Sequence, residues 1–259
     1  MLLSITESCH MGCSHCMDDA KPCDRHMSKE TFKDAIEFFN KFGGMELIIT
    51  GGEPTDHPDW LPFLYYALRN AKGSMYNNAH ITLITNAMNI AGKRDIQTYL
   101  LSLMDMYRLE HGASKLSIQV THVDKYYPQE VDLSEPFFNT TIICREIEAM
   151  YPMGRAKTNN LPWKSKCSKC FNIRSLAGSV RSLKEVTSIM ALYGKFCTPQ
   201  IDISGNIKLG ESVLCPVATN IYKSDAEIMA NIRAFTCGNC AEVNKNLTNE
   251  QLKAIGESR

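Results

Sequence analysis

The chain has 259 residues, 44% of them apolar and 22% charged, with 28 basic residues balanced by 28 acidic ones. This composition excludes a disordered chain and is long enough for one large α/β domain, or a barrel with a small appendage. No apolar run approaches the roughly 20 residues of a membrane-spanning helix, and the N-terminus has no basic region followed by an apolar stretch, so a cytoplasmic protein without a membrane partner is expected.

In chain order, residues 2–7 read as a strand, and a cysteine-containing loop runs on to about Met27. Ser28 then offers a helix N-cap. The helix it opens carries Phe32, Ala35, Ile36, Phe39 and Phe42 at three- and four-residue spacing and ends at Gly43-Gly44. Residues 45–49 read as a buried strand. A second helix holds Trp60, Leu61, Leu64 and Leu68, and residues 81–84 form a strand. A third helix carries Ile96, Tyr99, Leu100, Leu103 and Tyr107, followed by a strand at 115–120. Strands alternating with helices at this spacing predict βαβ units and a parallel sheet, which we read as a partial barrel. One more strand is expected at 140–146, and a domain boundary near residue 155. Residues 200–204 and 207–209, separated by Gly205-Asn206, read as a β-hairpin.

Eleven cysteines are many for a chain of this class. In a reducing compartment they are metal ligands more often than disulfides. Cys9, Cys13 and Cys16 form one group, Cys167 and Cys170 a second, and Cys237 and Cys240 a third. Three thiolates after the first strand can bind three irons of a cubane and leave the fourth iron open. Zinc instead needs a closed tetrahedron, for which His10, His15 or Cys23 would supply the fourth ligand. The carboxyl end of a parallel strand, where this loop sits, is where ligands bind in such folds.

The spacing Cys9-x3-Cys13-x2-Cys16, followed after the second strand by Thr50-Gly51-Gly52-Glu53-Pro54, resembles the radical S-adenosyl-L-methionine (SAM) superfamily. The resemblance implies a partial (β/α)6 barrel over residues 1–155. It also implies a 4Fe-4S cluster on the three cysteines, reductive cleavage of SAM to a 5′-deoxyadenosyl radical, and a flavodoxin- or ferredoxin-like electron donor. Gly51, Gly52, Glu53 and Pro54 match the motif that contacts the SAM amino group. Thr85, Asn86, Ser117 and Gln119 match positions touching the ribose and methionine moieties. The family usually places an aromatic residue before the third cysteine, where His15 stands here.

Residues 156–259 carry a second resemblance, to the small auxiliary-cluster domain called Twitch, related to SPASM. Cys197, Gly210, Cys215 and the pair Cys237-x2-Cys240 fit its pattern and imply a second 4Fe-4S cluster. A zinc ribbon has the same four-cysteine arithmetic. Cys167 and Cys170 lie outside that set, as replacements for one of its pairs, as a free redox dithiol or as a zinc site with Cys237 and Cys240. Cys144, on the expected fifth strand, is a candidate hydrogen-atom donor or simply a small buried residue.

Residues 155–184 contain eight basic and no acidic side chains, with Trp163 and Phe171 interleaved. They form either a solvated face or a grip for an anionic partner such as RNA, a nucleotide or an acidic peptide. The auxiliary-domain resemblance implies a ribosomally made peptide as substrate, its leader recognised by a separate partner or by the C-terminal module. A small molecule is the alternative substrate, and a zinc-ribbon nucleic-acid-binding protein the non-enzymatic one.

Overall fold

The computed structural model describes residues 1–42, 44, 46–73, 79–111, 115–121, 124–141, 154–161, 199–210 and 215–234. β1 (Leu2–Ser4), β2 (Glu46–Thr50), β3 (His80–Thr85) and β4 (Leu116–Val120) lie side by side in chain order, every pair parallel. The helices α1 (Lys29–Phe42), α2 (Trp60–Asn70) and α3 (Arg94–His111) connect them. The predicted βαβ rhythm is therefore present through residue 120.

Helix α1 starts where its cap permits. Ser28 Oγ accepts the Thr31 N–H at 3.1 Å, satisfying one orphan donor of the first turn. Phe32, Ala35, Ile36, Phe39 and Phe42 are buried as their spacing predicts, and Phe38 joins them. On α2 the burial shifts toward Phe63 and Ala67, leaving Leu61 partly buried. On α3 Leu100, Leu103, Met104 and Tyr107 are buried, but Tyr99 is 40% exposed. The polar Gln97 turns inward instead, donating to Ile90 O at 3.1 Å.

Three boundaries differ from expectation. β1 ends at Ser4, because residues 5–7 turn to pair with 25–27: Met27 N–H donates to Ile5 O and Glu7 N–H to Arg25 O. Thr140 and Thr141 end a short helix, α4 (Pro136–Thr141), in place of the start of a fifth strand. The hairpin loop covers residues 202–205 in place of the two-residue turn expected at 205–206. β5 (Pro199–Ile201) and β6 (Asn206–Leu209) are antiparallel, and Asp202 closes the turn by accepting the Ser204 and Asn206 N–H groups on Oδ1.

β5 pairs in parallel with β1, so the hairpin and β7 (Val217–Asn220) extend the parallel sheet to seven strands in the order β4-β3-β2-β1-β5-β6-β7. Two further helices are α5 (Gly154–Thr158) and α6 (Asp225–Ala234). No described helix is long and apolar enough to cross a membrane.

Candidate active site

At the carboxyl ends of β1, β2 and β3 a cavity of about 280 Å³ opens. Cys9, Cys13 and Cys16 line it from the loop after β1, Gly51, Gly52 and Glu53 from the loop after β2, and Thr85 and Asn86 from the end of β3. Cys9 is buried, and none of these cysteines is in a disulfide. Parallel strands deliver their following loops to one edge of the sheet, which is why residues far apart in sequence meet here.

Burial sets the protonation of the thiols. It pushes Cys9 up to about 11, and it pushes Cys13 up to about 12 with help from the neighbouring Cys9 and Cys16. A thiol ligates as its thiolate, so a metal centre held by Cys9 and Cys13 would displace their protons.

Glu53 is buried, and its carboxylate braces the site. Oε1 accepts the Thr55 N–H at 3.1 Å, the Thr55 hydroxyl at 2.6 Å and the Thr85 hydroxyl at 2.6 Å. Oε2 accepts the Asn86 N–H at 2.7 Å. Burial raises its pKa while these four donors pull it back. Asn86 holds its own turn through Met88 N–H to Oδ1 at 3.0 Å, and its Nδ2 lies 3.9 Å from Cys9 Sγ.

Two glycines of this loop are set by close contact with neighbouring main chain. A Cβ on Gly51 would lie 2.5 Å from Thr6 O, and one on Gly52 only 2.4 Å from Ser8 O. Their freedom lets the β2 loop press against the start of the cysteine loop, where Gly52 N–H donates to Thr6 O and Glu53 N–H to Ser8 O. The approach is protein to protein.

His15 packs against Tyr127, rings parallel with centroids 5.8 Å apart, and against Tyr126 at 5.3 Å. Burial lowers its pKa to about 4, and the nearby Arg155 adds to this, so the ring is neutral. Its Nδ1 is buried without a hydrogen-bond partner. His10 points elsewhere: it is 60% exposed and bonds Asp56 at 2.7 Å. Among the described residues no three His, Cys, Asp or Glu side chains converge on a single metal ion.

Pro54, Ser117 and Gln119 do not line the cavity. Pro54 opens a single 3-10 turn, and Ser117 Oγ pairs with His80 Nε2 at 2.8 Å toward the opposite end of β3. Arg155, Tyr127 and Thr121 line the cavity although the sequence did not single them out for it. Arg155 stood there only as one of the eight charges in the basic stretch, because a contact spanning 142 residues leaves no local pattern. Cys215 is described. Cys144, Cys167, Cys170, Cys197, Cys237 and Cys240 lie outside the described residues.

A parallel sheet with three cysteines on the loop after its first strand, facing a loop after its second that Glu53 braces, is an α/β arrangement with three candidate soft ligands at its ligand-binding edge. Residues 3–129 match the radical SAM superfamily, and the chain carries a domain of that superfamily. A GTP 3′,8-cyclase of Listeria monocytogenes is 29% identical over 97 residues, 36% of this chain and 28% of that protein. The GTP 3′,8-cyclase of Actinobacillus succinogenes is 23% identical over 159 residues, 60% of this chain and 42% of that one. The chain thus matches less than half the length of either relative.

Among solved structures, BtrN in complex with AdoMet and 2-DOIA is similar over 94% of this chain and 84% of that one, at 12% identity and a TM-score of 0.50. Streptococcus suis SuiB bound to precursor peptide SuiA is similar over 92% and 69%, at 13% identity and a TM-score of 0.55. These two likenesses bear on the fold.

Proposed function

We propose that this chain binds a 4Fe-4S cluster through Cys9, Cys13 and Cys16 and uses it to cleave SAM reductively, with the 5′-deoxyadenosyl radical abstracting hydrogen from a substrate. The observation that carries this reading is that these three thiols line one cavity with the Glu53 brace. The fit is chemical as well as spatial: three soft ligands, Cys9 packed in an apolar cluster with Met11 and Ala20, and buried polar atoms without partners on His15 and Arg155. When bound, the reduced cluster supplies the electron that breaks a carbon–sulfur bond of SAM.

The chain's own residues then bind and orient. The stacked His15 and Tyr127 present an aromatic wall on which an adenine can lie, taking the place of the family's usual aromatic residue. Thr85 and Asn86 are held at the rim by Glu53, and the Asn86 side-chain amide lies 3.9 Å from Cys9 Sγ. Ser117 and Gln119 sit on the sheet face shared with Ile84, away from the lining itself, and we assign them only an indirect part.

The organisation follows from this reading: residues 1–155 form the radical SAM partial barrel, and 156–259 an auxiliary module. Cys197, Cys215, Cys237 and Cys240 are its proposed cluster ligands, with Cys167 and Cys170 held in reserve. One described feature supports this. A Cβ on Gly210 would lie 2.3 Å from Cys215 Sγ, so the glycine lets this thiol lie against the main chain.

A ribosomally made peptide is the proposed substrate. The small-molecule reading has its own support, since the curated relatives are named for a reaction of GTP. A flavodoxin- or ferredoxin-like protein is the proposed electron donor. The testing experiment is anaerobic reconstitution with iron and sulfide, reduction, and chromatography for 5′-deoxyadenosine. Two clusters predict about eight irons per chain. About four irons with one zinc would make the C-terminal module a structural ribbon, and absence of 5′-deoxyadenosine would overturn the assignment.

A further inference from the structure

Arg155 reaches the cysteine loop from 142 residues away in sequence. Its main-chain N–H donates to Cys16 O at 2.8 Å. Nε donates to Cys13 O at 2.7 Å, and Nη1 donates to Asp19 Oδ1 at 3.0 Å and to Ala20 O at 2.9 Å. Asn159 Nδ2 adds a bond to Ser14 O at 2.8 Å. Gly154 lies so close that a Cβ there would meet Cys16 O at 2.6 Å, and its φ of 52° favours glycine as well. One short segment thus grips the loop at Cys13, Ser14, Cys16, Asp19 and Ala20.

One atom of that guanidinium is left over. Nη2 is buried and has no hydrogen-bond partner, while Arg155 itself lines the cavity beside Cys13 and Cys16. A buried charged donor without an acceptor is costly, and such groups are rare unless something absent from the bare chain completes them. The guanidinium keeps its charge at any physiological pH, so the missing acceptor is electron-rich. Thiolate or sulfide sulfur of an iron–sulfur centre meets that description, and hydrogen bonds to those sulfurs set its potential.

We infer that Arg155 is the positioning residue of the iron–sulfur centre: it clamps the three-cysteine loop through Cys13 O, Asp19 and Ala20, and its Nη2 donates to a sulfur of the cluster, raising the reduction potential. This rests on the proposed cluster at Cys9, Cys13 and Cys16. The fixed fork of a guanidinium can hold the loop and reach the cavity together. An ammonium at the same place has one nitrogen and cannot do both.

The test uses the full chain, reconstituted anaerobically, as wild type, Arg155→Gln and Arg155→Lys. Iron content and the electron paramagnetic resonance signal that responds to added SAM are read first in the wild type. If no such signal forms there, the cluster reading itself fails. With the signal present, Arg155→Gln is expected to shift its midpoint potential downward and to lose iron to a chelator several-fold faster. Arg155→Lys, which keeps the charge, is expected to shift less but to lose iron as fast. If Arg155→Gln cannot retain a cluster, Arg155→Lys carries the measurement, with a potential below wild type expected. A potential equal to wild type in the variant that holds the cluster overturns the inference. So does a loss of SAM affinity with the potential unchanged, which would make Nη2 a ligand of the SAM carboxylate.

Discussion

Glu53 Oε2 accepts the Asn86 main-chain N–H at 2.7 Å, tying the loop after β2 to the end of β3 across the floor of the cysteine cavity. With Thr55 and Thr85 also donating to Oε1, the carboxylate is a structural brace as well as a cavity wall. Glu53→Ala should therefore leave several buried donors without acceptors and cost roughly 2–4 kcal/mol. Denaturant unfolding of the metal-free chain measures this. A variant as stable as wild type would show that the brace is dispensable and that Glu53 serves the ligand alone.

Gly52→Ala should be far more damaging than Gly92→Ala. A Cβ on Gly52 meets Ser8 O at 2.4 Å, whereas one on Gly92 meets nothing within 4 Å. At Gly92 the φ of 72° leaves only the cost of a left-handed alanine, about 1 kcal/mol. Melting temperature and iron uptake are the readouts. Equal behaviour of the two variants would contradict the close approach of the β2 loop to the cysteine loop.

Replacing Cys9, Cys13 and Cys16 together by Ala should abolish formation of 5′-deoxyadenosine and halve the iron of a two-cluster protein, from about eight to about four per chain. Turnover that survived the triple change would mean another set of cysteines does the work. Exposure of the wild type to air should bring the same loss of activity.

Lys115 supplies a pH signature far from the cysteines. Its ammonium is buried, donates to Leu68 O and to Ala71 O at 3.4 Å at the end of α2, and lies 5.4 Å from the Tyr107 ring centre. Burial pushes its pKa down from 10.5 to about 8, with Arg69 contributing. The folded chain thus binds fewer protons than the unfolded one between those values. Stability attributable to Lys115 is full above pH 10.5 and is lost as pH falls through 8. Relative to Lys115→Met, the wild type should gain stability as pH rises from 8 to 10. Parallel denaturation curves over that range would refute it.

Some of this protein is written locally. The buried face of α1 is an i, i+3, i+4 pattern, and the Ser28 cap is one residue, so both are readable without knowing what they pack against. The Cys9, Cys13 and Cys16 spacing is local too, and it pointed to the cavity that these residues line. Tyr99 misled because a stripe read from spacing does not say where the neighbouring sheet ends, and Gln97 took the inward place.

What only the tertiary structure decided are the relationships that cross elements. That Gly51 and Gly52 make room for Thr6 and Ser8, that Glu53 is already held by Thr85 and Asn86, and that Arg155 clamps Cys13 all depend on chain segments meeting at one edge of a parallel sheet. Residue types and spacing name the groups able to do chemistry. Which of them face one another is set by burial and by hydrogen bonds between distant segments, and those interactions leave no periodicity in the chain.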